Sequence, residues 1–144
     1  MIGKSHLGGR STENLPINRG FDQHFGFLGG GEDHYTQKSG GTTDLWRDRS
    51  PAYGENGTFS GYLYAGEAVK VIEEHAAHYA AQPLFMYLAW HLVHSPLEAP
   101  AHYFDPKCAD NSQRQLYHAM ATATSNRHDP AVLQALQVLL NRRA

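Results

Sequence analysis

P-L-F-M-Y-L-A-W-H-L-V-H-S-P, residues 83–96, is an apolar run that turns polar at its end. Pro83 cannot continue a helix, and Leu84 to Trp90 has the length and continuous apolarity of a strand covered on both faces. Immediately upstream, Ala65, Val69, Ile72, Ala76 and Tyr79 are spaced 4, 3, 4 and 3 apart, which predicts a helix over 62–80 with these residues on one face. Glu67, Lys70, Glu73 and Glu74 fall largely on the other side, where their charges stay solvated. A helix followed by a buried strand implies an α/β architecture. His91, His94, Ser95, Pro96 and Pro100 then cluster at the C-terminal end of that strand, where open α/β sheets place their ligands.

Working outward from this unit, residues 3–61 hold most of the 14 glycines, with runs at 8–9, 29–31 and 40–41 that break any periodicity and predict loop. Phe21, Phe25, Phe27, Tyr35 and Trp46 within it argue for an ordered, packed loop, since flexible linkers are poor in aromatics. Arg19 and Asp22 are expected to brace it through hydrogen bonds and an ion pair. Downstream, a second helix is predicted over 112–124. Asp129-Pro130 reads as an N-cap and first turn of a final helix ending near Arg143, whose Val132, Leu136 and Leu139 or Leu140 form an apolar stripe.

With 144 residues, 41% hydrophobic and 18% charged, the chain is long enough for one core. A formal net charge of −2 gives no field that would draw it to nucleic acid or a membrane surface, and no window approaches the roughly 20 apolar residues of a membrane span. Cys108 is the single cysteine, which excludes an internal disulfide and a cysteine-rich zinc cluster. Ten histidines favour a polar site. His24 and His34 flank the central glycine run beside Glu32 and Asp33, but no metal-ligand spacing links them, so both are assigned structural or exposed roles and no metal site. Asn56-Gly57-Thr58 matches a glycosylation sequon, a three-residue pattern frequent by chance. The compartment is left unassigned.

Lys4 and His6 are two residues apart, so at the end of a strand both would project from one face. Joined by His94 or His91 from another strand end, they would suit the oxygens of a tetrahedral anion and the charge developing on a leaving oxygen. Sulfuryl or phosphoryl ester cleavage is the reaction class that follows. A surface lysine and a hydrogen-bonded histidine are common, and sequence context gives this pair its meaning.

The stretch G-K-S-H-L-G at 3–8, P-I-N-R-G-F-D-Q-H-F-G-F-L-G-G-G-E-D-H-Y at 16–35, D-L-W at 44–46 and P-L-F-M-Y-L-A-W-H-L-V-H-S-P-L-E-A-P at 83–100 resembles the arylsulfatase B-like branch of the sulfatase family. Coverage is roughly residues 3–122. The resemblance implies part of an alkaline phosphatase-like mixed sheet flanked by helices. It also implies hydrolysis of a small-molecule or glycan sulfate ester by a formylglycine nucleophile beside a calcium ion. Lys4 and His6 match the family's paired sulfate-contacting residues and His94 the histidine of its V-H-x-P-L motif, so these three are the expected catalytic and substrate-binding residues. His91 matches none of its site residues.

Departures from the family pattern limit what the chain can do. Ser5 stands where the family has tryptophan, which removes a large packing group beside both ligands. No C-x-P-x-R or S-x-P-x-R signature occurs, for Cys108 sits in K-C-A-D-N-S, and the family's acidic metal ligands match no position here. Residues 1–124 are accordingly expected to be a partial catalytic domain, inactive alone and continuing upstream of Met1. Residues 125–144 form a tail that departs from the family. The alternative is a non-catalytic protein that holds sulfate or sulfated glycans, and a phosphatase or phosphodiesterase of the same superfold is a third reading. Exposed strand edges and apolar faces further predict that the isolated chain is aggregation-prone or only partly ordered.

Overall fold

The structure, a computed structural model, describes residues 1–107 and 111–125. Cys108, the helix expected over 130–143 and all of the 125–144 tail except Ser125 lie outside the described residues. Among the described residues seven short strands and two α-helices succeed one another: β1 (Ile2–Gly3), β2 (Phe25–Phe27), β3 (Lys38–Ser39), β4 (Thr42–Thr43), β5 (Leu45–Arg47), β6 (Ser50–Pro51), α1 (Ser60–His78), β7 (Leu88–Ala89) and α2 (Ser112–Thr124).

Five strands make one mixed sheet in the order β6-β5-β2-β1-β7, and β3 and β4 pair separately. β1 runs parallel to β2 and β7, so their carboxyl ends emerge together, whereas β5 is antiparallel to β2 and β6 antiparallel to β5. The α/β expectation is met. The glycine-rich half was expected to be loop, and there the structure differs: six strands of two or three residues run through it. Phe25-Gly26-Phe27 shows why its strand escapes pattern reading. All three residues are buried, so the alternation of inside and outside that marks a half-exposed strand is missing.

The core consists of Ile2, Phe25, Phe27 and Leu45 from the sheet with Tyr64 and Ala68 from α1. α1 therefore turns Ser60, Gly61, Tyr64 and Ala68 inward, about one residue round from the face carrying Ala65, Val69, Ile72 and Ala76, which is half-buried, and Tyr79 is 55% exposed. The tyrosine decides the rotation, because a fully buried aromatic contributes more apolar area than alanine and its hydroxyl finds an internal partner in Glu32. On the sheet side Glu67 is tied to Arg47 by two hydrogen bonds, the longer 2.9 Å, and the guanidinium lies 4.2 Å over the Phe25 ring. α2 spans the expected residues, and the Asn111 side chain accepts from the Arg114 amide at 2.9 Å to cap it.

Two expectations fail. The run 84–90 is not a strand covered on both faces: only Leu88–Ala89 pairs, at the edge of the sheet, and Phe85 is 81% and Tyr87 51% exposed. Phe21 stacks on both rings at 6.3 and 6.5 Å and gives them partial cover. Arg19 and Asp22 form no ion pair among the described residues. Asp22 instead lies near the Met1 ammonium.

Candidate functional site

The three parallel strands deliver three segments to one end of the sheet: Lys4 to His6 after β1, Leu28 to Glu32 after β2, and Trp90 to His94 after β7. The Lys4 amide donates to the Ala89 carbonyl and the Ser5 amide to the Phe27 carbonyl, both at 2.9 Å, so sheet bonding continues beyond β1 by one residue towards β7 and by two towards β2. His6 then takes a left-handed backbone with φ of 54°. Strand alternation from Lys4 therefore does not orient its side chain.

Between them lies Gly29-Gly30-Gly31. A β-carbon on Gly30 would stand 2.8 Å from His6 Nε2, and one on Gly31 3.1 Å from His94 Cε1. His6 and His94 are thus laid against consecutive glycines, and the missing side chains are what let the imidazoles approach. Both histidines are exposed while Lys4 is half-buried. The glycine run is itself anchored by Asp44, whose Oδ1 accepts from the Leu28 amide at 3.3 Å and Oδ2 from the Gly29 amide at 2.8 Å.

His94 Nδ1 lies 2.7 Å from the Ser95 carbonyl, which can only accept, so this nitrogen carries a hydrogen. Behind it stands His91, 2% exposed, with ring centroids 5.4 Å from His94, 4.1 Å from His34 and 4.8 Å from Phe27. Burial pushes the His91 pKa down to about 3, helped by the neighbouring His34, His94 and Lys4 charges. It is neutral at all ordinary pH, and neither ring nitrogen has a hydrogen-bond partner among the described residues. His91 and His94 are therefore neighbours, the Lys4 charge is felt at His91, and His6 lies on the glycine next to the one beneath His94.

Beneath the glycine run Glu32 is 2% exposed and accepts the Tyr64 hydroxyl on Oε1, leaving Oε2 unpartnered. Burial raises its pKa to about 7, the tyrosine bond opposing and the Asp44 and Asp33 charges adding to the rise. Asp33 accepts from the Tyr35 amide, the Thr36 amide and the Thr36 hydroxyl at 2.7–3.1 Å. Among the described residues no three histidine, cysteine or acidic groups converge as metal ligands. A calcium ion does not fit the donor set present.

The spacing of Lys4 and His6 and the position of His94 in the sequence point to this end of the sheet, whereas the residues that support them carry no such signal. His34, assigned a structural or exposed role from sequence, is fully buried against His91. Asp44 was visible only within D-L-W, and Glu98, which accepts the His34 amide at 2.9 Å, only within P-L-E-A-P. Two cavities, of about 850 and 680 Å³, share Phe21, Asp22, Phe25, Arg47 and Asp48 among their linings and lie away from these histidines.

No family model matches the chain. It is 38% identical to Arylsulfatase J of Mus musculus over 127 residues, 83% of this chain and 21% of that protein. It is 33% identical to an arylsulfatase of Klebsiella aerogenes over 103 residues, 69% of this chain and 22% of that protein. The crystal structure of Ps i-CgsB superposes with a TM-score of 0.78 at 24% identity, over 99% of this chain and 33% of the other. The same protein in complex with k-i-k-neocarrahexaose gives the same values. The chain thus spans about a fifth of the curated relatives' length. Its mixed sheet carries three parallel strands whose carboxyl ends bear the G-K-x-H-L-G, glycine and V-H-x-P-L segments, and with these relatives it belongs, as a segment of the alkaline phosphatase-like domain, to the sulfatase family.

Proposed function

We propose that Lys4, His6 and His94 are the sulfate-contacting residues of an arylsulfatase-type sulfuric ester hydrolase, and that this chain supplies the anion-holding part of its site. The observation that carries the reading is the placement of two exposed imidazoles on Gly30 and Gly31, with Lys4 half-buried two residues before His6 at the end of β1. An ammonium and two imidazoles offer donors to the oxygens of a tetrahedral anion, and charge-assisted bonds of this kind are the strong ones. Because His94 Nδ1 gives its hydrogen to the Ser95 carbonyl, Nε2 is the atom at which this ring takes up a proton or donates one to a leaving oxygen. The substrate class is a small-molecule or glycan sulfate ester. The carbohydrate held by Ps i-CgsB lends support to a glycan.

With no C/S-x-P-x-R signature in the sequence and no convergent metal ligands among the described residues, the chain alone binds but does not turn over. That shortfall also favours the second reading, a non-catalytic holder of sulfate or sulfated glycans. Calorimetry with inorganic sulfate and a sulfated monosaccharide tests the site. Binding is expected, and Lys4→Ala is expected to weaken it at least about tenfold, the loss of one bond to a charged group. No binding, or binding indifferent to Lys4, overturns the assignment, and hydrolysis of an aryl sulfate by the chain alone overturns the claim of incompleteness.

A further inference from the structure

We infer that His34, held as a neutral imidazole with its hydrogen on Nε2, is a positioning residue for His94. The argument rests on where each polar atom of His34 goes. Its Nε2 lies 3.2 Å from the His94 carbonyl, which can only accept, so Nε2 is the donor. Its Nδ1 lies 2.8 Å from the Ser60 hydroxyl. Burial lowers the His34 pKa, so the ring is neutral and Nδ1 takes the hydroxyl hydrogen. The His34 amide donates to Glu98 Oε2 at 2.9 Å, and the His34 carbonyl accepts from the Ser60 amide at 2.7 Å and the Gln37 side chain at 3.2 Å. Every hydrogen-bonding group of the residue is thus engaged, and the side chain is fully buried.

These bonds join three elements. Ser60 is the first residue of α1, His34 follows the glycine run, and Glu98 and His94 flank the turn after β7. The His34 ring stacks at 4.1 Å on His91, which lies 5.4 Å from His94. His94 is therefore held at its carbonyl by the His34 donor, and its imidazole lies beside the His91 ring that His34 stacks on. The His34 bond to the His94 carbonyl adds to the Ser95 carbonyl at Nδ1 and the Gly31 backbone beneath the ring, and Ser60 sets the His34 tautomer as an outer-shell partner sets that of a ligating histidine.

The inference rests on the reading that His94 faces the anion, and the experiment separates the two. The full chain is labelled with ¹⁵N in histidine, and ring resonances are followed with and without inorganic sulfate. The wild type is expected to show His34 with an unprotonated Nδ1 and a protonated Nε2. His34→Ala is expected to displace and broaden the His94 resonances before any sulfate is added and to weaken sulfate binding roughly tenfold, the effect typical of losing an outer-shell partner. His34→Gln, which keeps a donor near the Nε2 position, is expected to restore both. If wild-type His94 ignores sulfate, the anion reading falls, while a displaced His94 in His34→Ala still supports the positioning role. Should His34→Ala not fold, Ser60→Ala decides: mixed His34 tautomers with a broadened His94 support the inference. Unchanged His94 resonances in these variants, or a His34 protonated on Nδ1 in the wild type, overturn it.

Discussion

Glu32 accepts the Tyr64 hydroxyl on one oxygen and has nothing for the other, in a position 2% exposed to water. With a folded pKa near 7 against an ordinary 4.5, the folded state holds a proton that the unfolded state has already released between those values. The Glu32 contribution to stability therefore falls as pH rises from about 4.5 to 7 and is flat above, a loss on the order of 3 kcal/mol at most, while the buried neutral His24, His34 and His91, which the unfolded chain protonates below about 6.5, contribute in the opposite direction. Glu32→Gln keeps an acceptor for Tyr64 and cannot ionise, so between pH 4.5 and 7 its urea midpoint should rise relative to that of the wild type, the buried histidines no longer being offset, and should exceed it at pH 8. Parallel pH profiles for the two proteins would refute this. The glycines beside it divide by what their absent side chains would strike. On Gly29 a β-carbon meets Asp44 Oδ2 at 2.6 Å, an atom already bonded to the Gly29 amide, whereas on Gly30 it meets the far end of an exposed imidazole. Gly29→Ala should cost about 1–3 kcal/mol, the overpacking range. Gly30→Ala should change stability within about 0.5 kcal/mol, as for a surface site, while displacing His6 and weakening sulfate binding. Thermal unfolding and calorimetry on the pair check both. At this scale the charged ends of the site were legible, because lysine and histidine in a glycine setting are unusual. The groups that hold them were not: Asp44, His34 and Glu98 act on backbone atoms and rings far away in sequence, and no spacing rule relates them.

Two helices follow from the sequence almost residue for residue, over 60–78 against an expected 62–80 and over 112–124 as expected. Local periodicity and caps suffice for their bounds. The inward face of α1 did not follow, since Ala65 and Ala68 are equally plausible by spacing and only the sheet, through Phe25, Phe27 and the Glu32 carboxyl, selects Tyr64. Strands of two or three residues carry too short a pattern to be read at all. The Tyr64 hydroxyl is thus the polar link between α1 and the segment leaving β2. Tyr64→Phe removes Glu32's hydrogen-bond donor with almost no change in packing, and should cost about 1–3 kcal/mol, the penalty for leaving a buried acceptor unsatisfied. The loss should be greater at pH 8, where Glu32 is ionised, than at pH 5. Equal losses at both pH values, measured by chemical denaturation, would show that the bond does not sense the carboxylate.

Across the whole molecule the two edges of the sheet differ. β6 ends in Pro51, which has no amide hydrogen to offer, and its partner face is small. Among the described residues β7 pairs with β1 alone, and beside it Phe85 is 81% and Tyr87 51% exposed with Phe21 stacked against them. An unblunted edge flanked by exposed aromatics is a template for pairing, and a net charge of −2 supplies little repulsion to oppose it. Self-association through the β7 side is therefore the expected behaviour of this chain in solution, and it should grow with concentration while leaving the Lys4, His6 and His94 end of the sheet free. Phe85→Lys places a charge at that edge and removes 81%-exposed apolar area without touching the core cluster. It should move the chain toward monomer in sedimentation velocity with an unchanged unfolding midpoint and unchanged sulfate binding. A control substitution at the β6 edge, Ser50→Lys, should have no such effect. If the wild type stays monomeric at high concentration, or if Ser50→Lys disperses it as well as Phe85→Lys does, the association does not run through the aromatic edge.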